Sequence, residues 1–208
     1  MSKKMREKVR RGYENGAYTN TYRKGTKLNQ FEKEIFDQLI KLLPQEAMIL
    51  DLGSGPGIPY DLYLSQEGFR VTGLDFCEQH VTQARRNVPL ATYHLCDFTE
   101  YDFSQRQYGA ILSLYSLFHL PREQHTTLLN RIASALAENG KLLITMGTED
   151  EPYKERKNFC GTEMAWSYFD DKRNVHLLQE SGFRVITSFN EQDFGSSEKH
   201  LWILAEKI

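Results

Sequence analysis

The chain has 208 residues, a length that favours a single domain. A net charge of −2, with 26% charged and 40% hydrophobic residues, is typical of a globular protein and excludes a general attraction to nucleic acid or to anionic membranes. No apolar run approaches the ~20 residues of a membrane span, so no membrane partner is expected. The three cysteines, an odd and sparse set, do not indicate a disulfide framework and predict a reducing, cytoplasmic compartment.

The N-terminal segment, residues 1–27, is basic and is predicted to be a solvated leader or a lid. A helix begins at Phe31, because "FEKEIFDQLIKLLP" has apolar residues at helical spacing and a proline at its end. Short apolar runs then alternate with amphipathic segments. The predicted strands are 47–53, 69–75, 91–97, 108–116, 141–147, 183–189 and 199–207, and the predicted helices are 60–68, 78–88, 122–140 and 171–182.

This alternation of apolar strands with helices is typical of a parallel sheet that is covered on both faces. The last two strands have no helix between them, which predicts an antiparallel hairpin at the edge of the sheet. The predicted fold is therefore α/β, a Rossmann-like, doubly wound, mostly parallel sheet of seven strands with an antiparallel C-terminal hairpin strand. It is expected to form one domain over residues 28–208, with its ligand site beyond the carboxyl ends of the strands.

The first predicted strand runs into "DLGSGPG", a loop with glycine at three alternate positions. Glycine lets a ligand lie against the main chain, because no Cβ intervenes. A dinucleotide-binding loop, G-x-G-x-x-G/A, needs a small residue where this chain has Ile58. The pattern D-x-G-x-G-x-G instead resembles motif I of the class I S-adenosylmethionine (SAM)-dependent methyltransferases. The resemblance implies that the loop residues that bind SAM are Asp51, Gly53, Ser54, Gly55 and Gly57.

Later motifs extend this resemblance from Leu28 to the last strand. Asp75 ends the second predicted strand, where a carboxylate can accept hydrogen bonds from both ribose hydroxyls, and Phe76 follows it. In the family, an acid at the position of Asp97 binds the adenine amino group, and Phe98 follows. The segments "YGAILSLYSLFHL", with Leu114, and "LAENGKLLIT" resemble motif IV and the segment after it.

The resemblance is closest to the small-molecule branch of the bacterial enzymes. The segments "AWSYFD" and "EKHLWILAEK" are similar to segments of that branch, although Tyr168 stands where the family has a histidine. It implies SAM as cofactor, S-adenosylhomocysteine as product and a small molecule as methyl acceptor. Nucleic acid is not the expected acceptor, because "LYSLFHL" lacks the N/D-P-P-Y/F pattern of base amino-group methylases.

The candidate general base is His119, because the ordinary pKa of histidine suits proton removal near neutral pH. The candidate residues of an acceptor pocket are Tyr22, Tyr115 and Trp166, and the long irregular segment 148–171 is predicted to be the substrate loop. No metal site is predicted, since the close Cys/His pair in "DFCEQH" has no second pair to complete four ligands.

Structural explanations of these residues remain open. Asp75 can cap the helix that starts near Glu78, Asp97 can cap a turn, and His119 can simply hydrogen-bond a loop. The predicted function is methyl transfer from SAM to a small-molecule acceptor by in-line displacement, with catalysis mainly by positioning. The alternatives are a SAM-binding scaffold or sensor without turnover, and a nicotinamide-dependent oxidoreductase.

Overall fold

The computed structural model describes residues 2–15, 17–23 and 25–208. Within these ranges the helices are α1 (Ser2–Glu14), α2 (Ala17–Tyr22), α3 (Gln30–Lys41), α4 (Tyr60–Gln66), α5 (Glu78–Asn87), α6 (His125–Ala135) and α7 (Asp171–Glu180). The strands are β1 (Met48–Leu52), β2 (Arg70–Asp75), β3 (Thr92–Leu95), β4 (Tyr108–Ser113), β5 (Leu136–Met146), β6 (Glu151–Phe159), β7 (Thr162–Tyr168), β8 (Phe183–Asn190) and β9 (Leu201–Lys207). None of the described helices combines the length and the apolar character that a membrane crossing requires.

Seven of the described strands form one sheet in the order β3-β2-β1-β4-β5-β9-β8. Strands β1 to β5 are parallel to their neighbours in this series, and β9 is antiparallel to both β5 and β8. This confirms the predicted mostly parallel, seven-stranded sheet with an antiparallel strand from the C-terminal hairpin. The chain order reverses at β1, which lies between β2 and β4, so ligands are expected at the carboxyl end of β1.

Both faces of the sheet are covered, as two consecutive residues of β1 show. Leu50 lies in one core with Leu128 and Ile132 of α6. Its neighbour Ile49 lies in a second core with Phe36 of α3. Consecutive side chains of a strand point to opposite faces, so a continuously apolar strand such as β1 is what a doubly covered sheet requires.

The segment 148–171 was predicted to be an irregular loop, and this is wrong, because β6 and β7 form an antiparallel hairpin within it. Every residue of β6 is exposed or half-buried, so no apolar run marks it as a strand. The buried residues Met164 and Ala165 of β7 lie in one small core with Met5 and Val9 of α1. The hairpin is therefore stabilised partly by packing on the N-terminal helix.

Two other elements differ from the sequence predictions. Helix α6 ends at Ala135 rather than at 140, because Leu136 already pairs with Tyr108 of β4. The N-terminal segment 1–27 forms the helices α1 and α2 in its described part rather than a solvated leader. Its residues Met1, Gly16 and Lys24 lie outside the described residues.

Candidate active site

A cavity of about 710 Å³ lies beyond the carboxyl ends of β1 and its neighbouring strands. Its wall contains most of the site residues that the sequence predicts, namely Asp51, Gly53, Ser54, Gly55, Asp75, Phe76, Asp97, Phe98, Leu114, Tyr115 and His119. The fold thus brings the ends of β1, β2, β3 and β4 to one place. Gly57, a predicted cofactor-binding residue, does not line this cavity.

The three glycines of the loop after β1 all have positive φ, but their surroundings differ. A Cβ on Gly53 would lie 2.7 Å from the Cβ of Ser116, and a Cβ on Gly57 would lie 2.6 Å from the hydroxyl of Tyr93. These two positions require glycine for close packing within the protein. A Cβ on Gly55 would meet no atom within 4 Å, so Gly55 leaves the main chain open where the loop borders the cavity.

The carboxylate of Asp75 connects this loop to helix α5. Its Oδ2 accepts a hydrogen bond from the N–H of Gly55 at 2.9 Å, and its Oδ1 accepts one from the N–H of Cys77, the N-cap residue of α5, at 2.8 Å. Asp75 therefore forms a turn before α5 rather than capping the helix, whose N-cap residue is Cys77, and it also orders the loop. Each carboxylate oxygen has a second lone pair with which to accept a ligand hydroxyl.

Asp51 lies on the cavity wall beside a second buried carboxyl group, Asp61. The hydroxyl of Tyr93 donates to Oδ2 of Asp61 at 2.9 Å, and among the described residues Oδ1 of each aspartate has no hydrogen-bond partner. Burial raises the pKa of Asp51, and burial together with the neighbouring Asp51 raises the pKa of Asp61 well above its ordinary value. The pair consequently retains a proton at a pH where exposed aspartates are ionised.

Helix α1 forms the outer wall of the cavity and contacts Asp97. Arg6 donates a hydrogen bond to Oδ2 of Asp97, while the N–H and hydroxyl of Thr99 donate to Oδ1 at 3.0 and 2.7 Å. Burial raises the pKa of Asp97, but the bonds from Thr99 and Arg6 outweigh burial and leave this pKa below its ordinary value. Arg10 and Tyr13, from the same helix, also line the cavity.

A second cavity, of about 720 Å³, shares part of its wall with the first. The predicted pocket residues Tyr22 and Trp166 line the second cavity, whereas Tyr115 lines both. Tyr168, which stands where the resemblance expects a histidine, also lines the second cavity. The residues common to both walls are Tyr13, Tyr18, Arg23, Tyr60, Tyr115 and His119.

Tyr13 and His119 form a hydrogen-bonded pair in this shared wall. Nδ1 of His119 lies 2.9 Å from the carbonyl oxygen of Ala165, and Nε2 lies 2.8 Å from the hydroxyl of Tyr13. Because a carbonyl can only accept, Nδ1 carries the ring proton and Nε2 accepts from Tyr13. Burial lowers the pKa of His119 to about 4, so the ring is neutral at neutral pH and its Nε2 lone pair is directed to the tyrosine.

The motifs do not predict Arg6, Tyr13 or Arg23, which α1 and the end of α2 bring to the site. The guanidinium carbon of Arg23 lies 4.9 Å and 5.1 Å from the ring centroids of Tyr60 and Tyr115, and Nη1 donates to the Tyr60 hydroxyl at 3.2 Å. No carboxylate among the described residues forms an ion pair with Arg23. For Tyr13 and Arg23 the available signal is the group of three tyrosines and one arginine in "YENGAYTNTYR", which no periodicity assigns to a site.

Comparison with known proteins finds similarity to methyltransferases and to SAM-dependent proteins. Residues 49–140 match the family described as a methyltransferase domain. The chain is similar to trans-aconitate 2-methyltransferase of Variovorax paradoxus, with 29% identity over 127 residues that cover 60% of this chain and 48% of the relative. It is also similar to an S-adenosyl-L-methionine-dependent Diels-Alderase of Neonectria sp., with 40% identity over 67 residues that cover 32% of this chain and 26% of that protein. The chain thus spans about half the length of the first relative and less of the second.

The likeness to solved structures concerns the whole chain. The DhpI–SAH complex superposes with a TM-score of 0.75 at 18% identity, and the alignment covers 100% of this chain and 98% of DhpI. An identity this low is evidence for a shared fold alone. Evidence from the sequence itself comes from the family match, which covers the central part of the chain, residues 49–140. Residues 49–140 are therefore similar to a methyltransferase domain, and the whole chain has the fold of DhpI.

Proposed function

We propose that this protein transfers a methyl group from SAM to a small-molecule acceptor. The observation that carries the proposal is the pair of adjoining cavities, of about 710 and 720 Å³, with Tyr13 and His119 in their common wall. Two cavities of this size suit two small ligands that must meet at one point. The similarity to a relative named for methylating trans-aconitate supports an acceptor of low molecular mass.

The residues of the first cavity fit the parts of SAM. The carboxylates of Asp75 and Asp97, beside Phe76 and Phe98, suit the ribose hydroxyls, the adenine amino group and the faces of the base. At Gly55, where a Cβ would meet no protein atom, the open main chain suits close approach of the methionyl part. The carboxyl group of Asp51, which also lines this cavity, suits its ammonium group.

The arginine in the shared wall fits the remaining charged group of this cofactor. Arg23 contacts two tyrosine rings and has no carboxylate partner among the described residues, so its guanidinium can pair with the methionyl carboxylate. These donors and acceptors match the charges of a zwitterionic amino acid at one end of the cavity and a nucleoside at the other.

When it is bound, SAM supplies a methyl group that is already activated by a sulfonium. The protein then has to align the acceptor atom and exclude water from it. Nε2 of His119 accepts a hydrogen bond from the Tyr13 hydroxyl and so positions the tyrosine. The carbonyl oxygen of Ala165 accepts a hydrogen bond from Nδ1 and so positions the ring of His119. An acceptor O–H or N–H that must lose its proton can transfer it to the Tyr13 oxygen as the tyrosine proton moves to Nε2 of His119.

Calorimetric titration tests the cofactor assignment. We expect SAM and S-adenosylhomocysteine to bind with micromolar dissociation constants and NAD to bind much more weakly. Tight binding of NAD without heat from SAM would favour the nicotinamide-dependent alternative. Mass spectrometry of a metabolite extract incubated with the protein and methyl-labelled SAM then separates an enzyme from a scaffold or sensor, since a scaffold binds SAM and labels no metabolite.

We also propose that the protein acts in the cytoplasm and on no nucleic acid. The cysteines Cys77, Cys96 and Cys160 are all free thiols, as a reducing compartment requires. The net charge of −2 provides no attraction for a polyanion. Labelled product in the small-molecule fraction, with none in added RNA or DNA, is the expected result of the same incubation.

A further inference from the structure

The hairpin formed by β6 and β7 contributes two cationic side chains to the second cavity. Lys154 and Arg156 both line it, two residues apart on β6. Nζ of Lys154 donates to the hydroxyl of Tyr168 at 3.3 Å, and the guanidinium carbon of Arg156 lies 5.7 Å from the ring centroid of Trp166. Among the described residues, neither cation forms an ion pair with a carboxylate.

The other charged groups of this cavity are largely paired with each other. Lys199 lies 3.2 Å from Glu149, and Nδ1 of His200 hydrogen-bonds Glu191. Glu32 accepts hydrogen bonds from the Tyr60 hydroxyl and from a main-chain N–H at its own helix start. Glu32 and Glu198 are the acidic residues of this wall that have no ion-pair partner in the described part of the chain. Lys154 and Arg156 therefore place two cations without ion-pair partners on the hairpin side of the cavity.

Aromatic rings lie next to these cations. Trp166 is opposite Lys154 in the hairpin register, and its ring centroid is 5.1 Å from that of Phe159 and 5.9 Å from that of His119. The ring of Phe159 stacks on Tyr22 at 5.8 Å with an interplanar angle of 13°. An anion held by the two cations would thus be next to a cluster of aromatic rings that extends to the shared wall.

We propose that the methyl acceptor is an anion, with a carboxylate or phosphate bound by Lys154 and Arg156 and an apolar or planar body against Trp166 and Phe159. This inference rests on the proposed function, because it assigns the second cavity to the acceptor. Charge-assisted hydrogen bonds from two cations favour such a group over its neutral analogue. The reactive atom of the acceptor then lies toward Tyr13 and His119.

Fluorescence quenching of Trp166 tests the charge of the cavity directly. The chain has two tryptophans, and Trp202 is completely buried, so ions quench mainly Trp166. We expect iodide to quench the wild-type protein at least threefold more strongly than caesium, and the double variant Lys154→Gln/Arg156→Gln to lose this preference. The variant Lys157→Gln, at an exposed position of the same strand, should keep it. Equal quenching by both ions in the wild-type protein would overturn the proposal.

Binding of benzoate and of benzamide to the protein loaded with S-adenosylhomocysteine gives the second test. We expect benzoate to bind at least tenfold more tightly than benzamide, and the double variant to remove the difference. Equal or reversed affinities, or no binding of benzoate, contradict an anionic acceptor. SAM titration of the same variants separates the two hypotheses: intact SAM binding without an anion preference overturns only this inference, whereas a wild-type protein that binds no SAM overturns the proposed function.

Discussion

At the scale of single residues, Asp75 has internal hydrogen bonds and a proposed ligand-binding role, and its substitution should test both. Asp75→Ala removes the acceptors of the Gly55 and Cys77 N–H groups, which we expect to cost about 1–2 kcal/mol of unfolding free energy. It also removes the acceptor of the ribose hydroxyls, so SAM should bind about 30- to 150-fold more weakly, a loss of about 2–3 kcal/mol. Asp75→Asn keeps one acceptor oxygen and should lie between. Urea unfolding and calorimetry measure the two effects, and lost stability with unchanged SAM affinity would leave Asp75 a structural residue alone.

The hydroxyl of Tyr13 can be removed without removing its ring. In Tyr13→Phe the ring keeps its edge contact with Tyr18, whose centroid is 4.9 Å away, but Nε2 of His119 loses its donor. We expect SAM affinity to change less than about threefold and kcat to fall about 100-fold, within the usual range for a proton-transfer group. Tyr153→Phe is the matched control, because the Tyr153 hydroxyl bonds Glu155 outside both cavities. A kcat unaffected by Tyr13→Phe would remove Tyr13 from the proton-transfer path.

At the scale of elements, we expect α1 to act as a lid over the first cavity, and its contacts can be weakened one at a time. Arg6 joins α1 to Asp97, and Lys8 joins it to Glu155 and Glu163 of the hairpin at 2.6 and 3.1 Å. Because α1 lines one wall of the first cavity, we expect its movement to widen the entrance for a ligand.

Arg6→Gln should therefore loosen the lid. Loss of a partly exposed ion pair costs about 1 kcal/mol, so we expect SAM to dissociate about fivefold faster and the amide hydrogens of α1 to exchange faster. Stopped-flow displacement and hydrogen exchange measure these rates, with Arg11→Gln, at an exposed position of the same helix, as control. If neither rate differs from that of the control, Arg6 does not hold the lid closed.

The elements that the sequence predicts well are those whose pattern is local. Continuous apolar strands and glycine-ended helices predict the sheet, and "DLGSGPG" with Asp75 predicts the wall of the first cavity. The hairpin 151–168 could not be predicted in this way, because β6 has no apolar run or alternation and its stability comes from β7 and from Met5 and Val9 of α1. The roles of the three glycines also needed the structure, since close packing at Gly57 depends on Tyr93, which is distant in the sequence.

At the scale of the whole molecule, buried titratable groups couple the folding stability to pH in opposite directions. Burial lowers the pKa of His119 and His125 to about 4, so the unfolded chain binds these protons more readily than the folded protein does. Stability from these groups is complete above the ordinary histidine pKa of 6.5 and is lost as the pH falls from 6.5 to 4. The raised pKa values of Asp51 and Asp61 have the opposite effect, because the folded protein then binds protons that the unfolded chain releases.

His125 allows the histidine contribution to be isolated away from both cavities. It is 1% exposed at the start of α6, and its Nε2 lies 3.3 Å from the carbonyl oxygen of Leu120. Glutamine at this position can still donate to that carbonyl but does not titrate. Between pH 7 and 4.5 we expect the unfolding free energy of His125→Gln to fall by about 2 kcal/mol less than that of the wild-type protein, as follows from a pKa of about 4 in the folded state. Urea unfolding at both pH values measures this difference, and exposed His176→Gln should follow the wild-type curve. A His125→Gln variant that loses as much stability as the wild-type protein would show that His125 takes up its proton without unfolding.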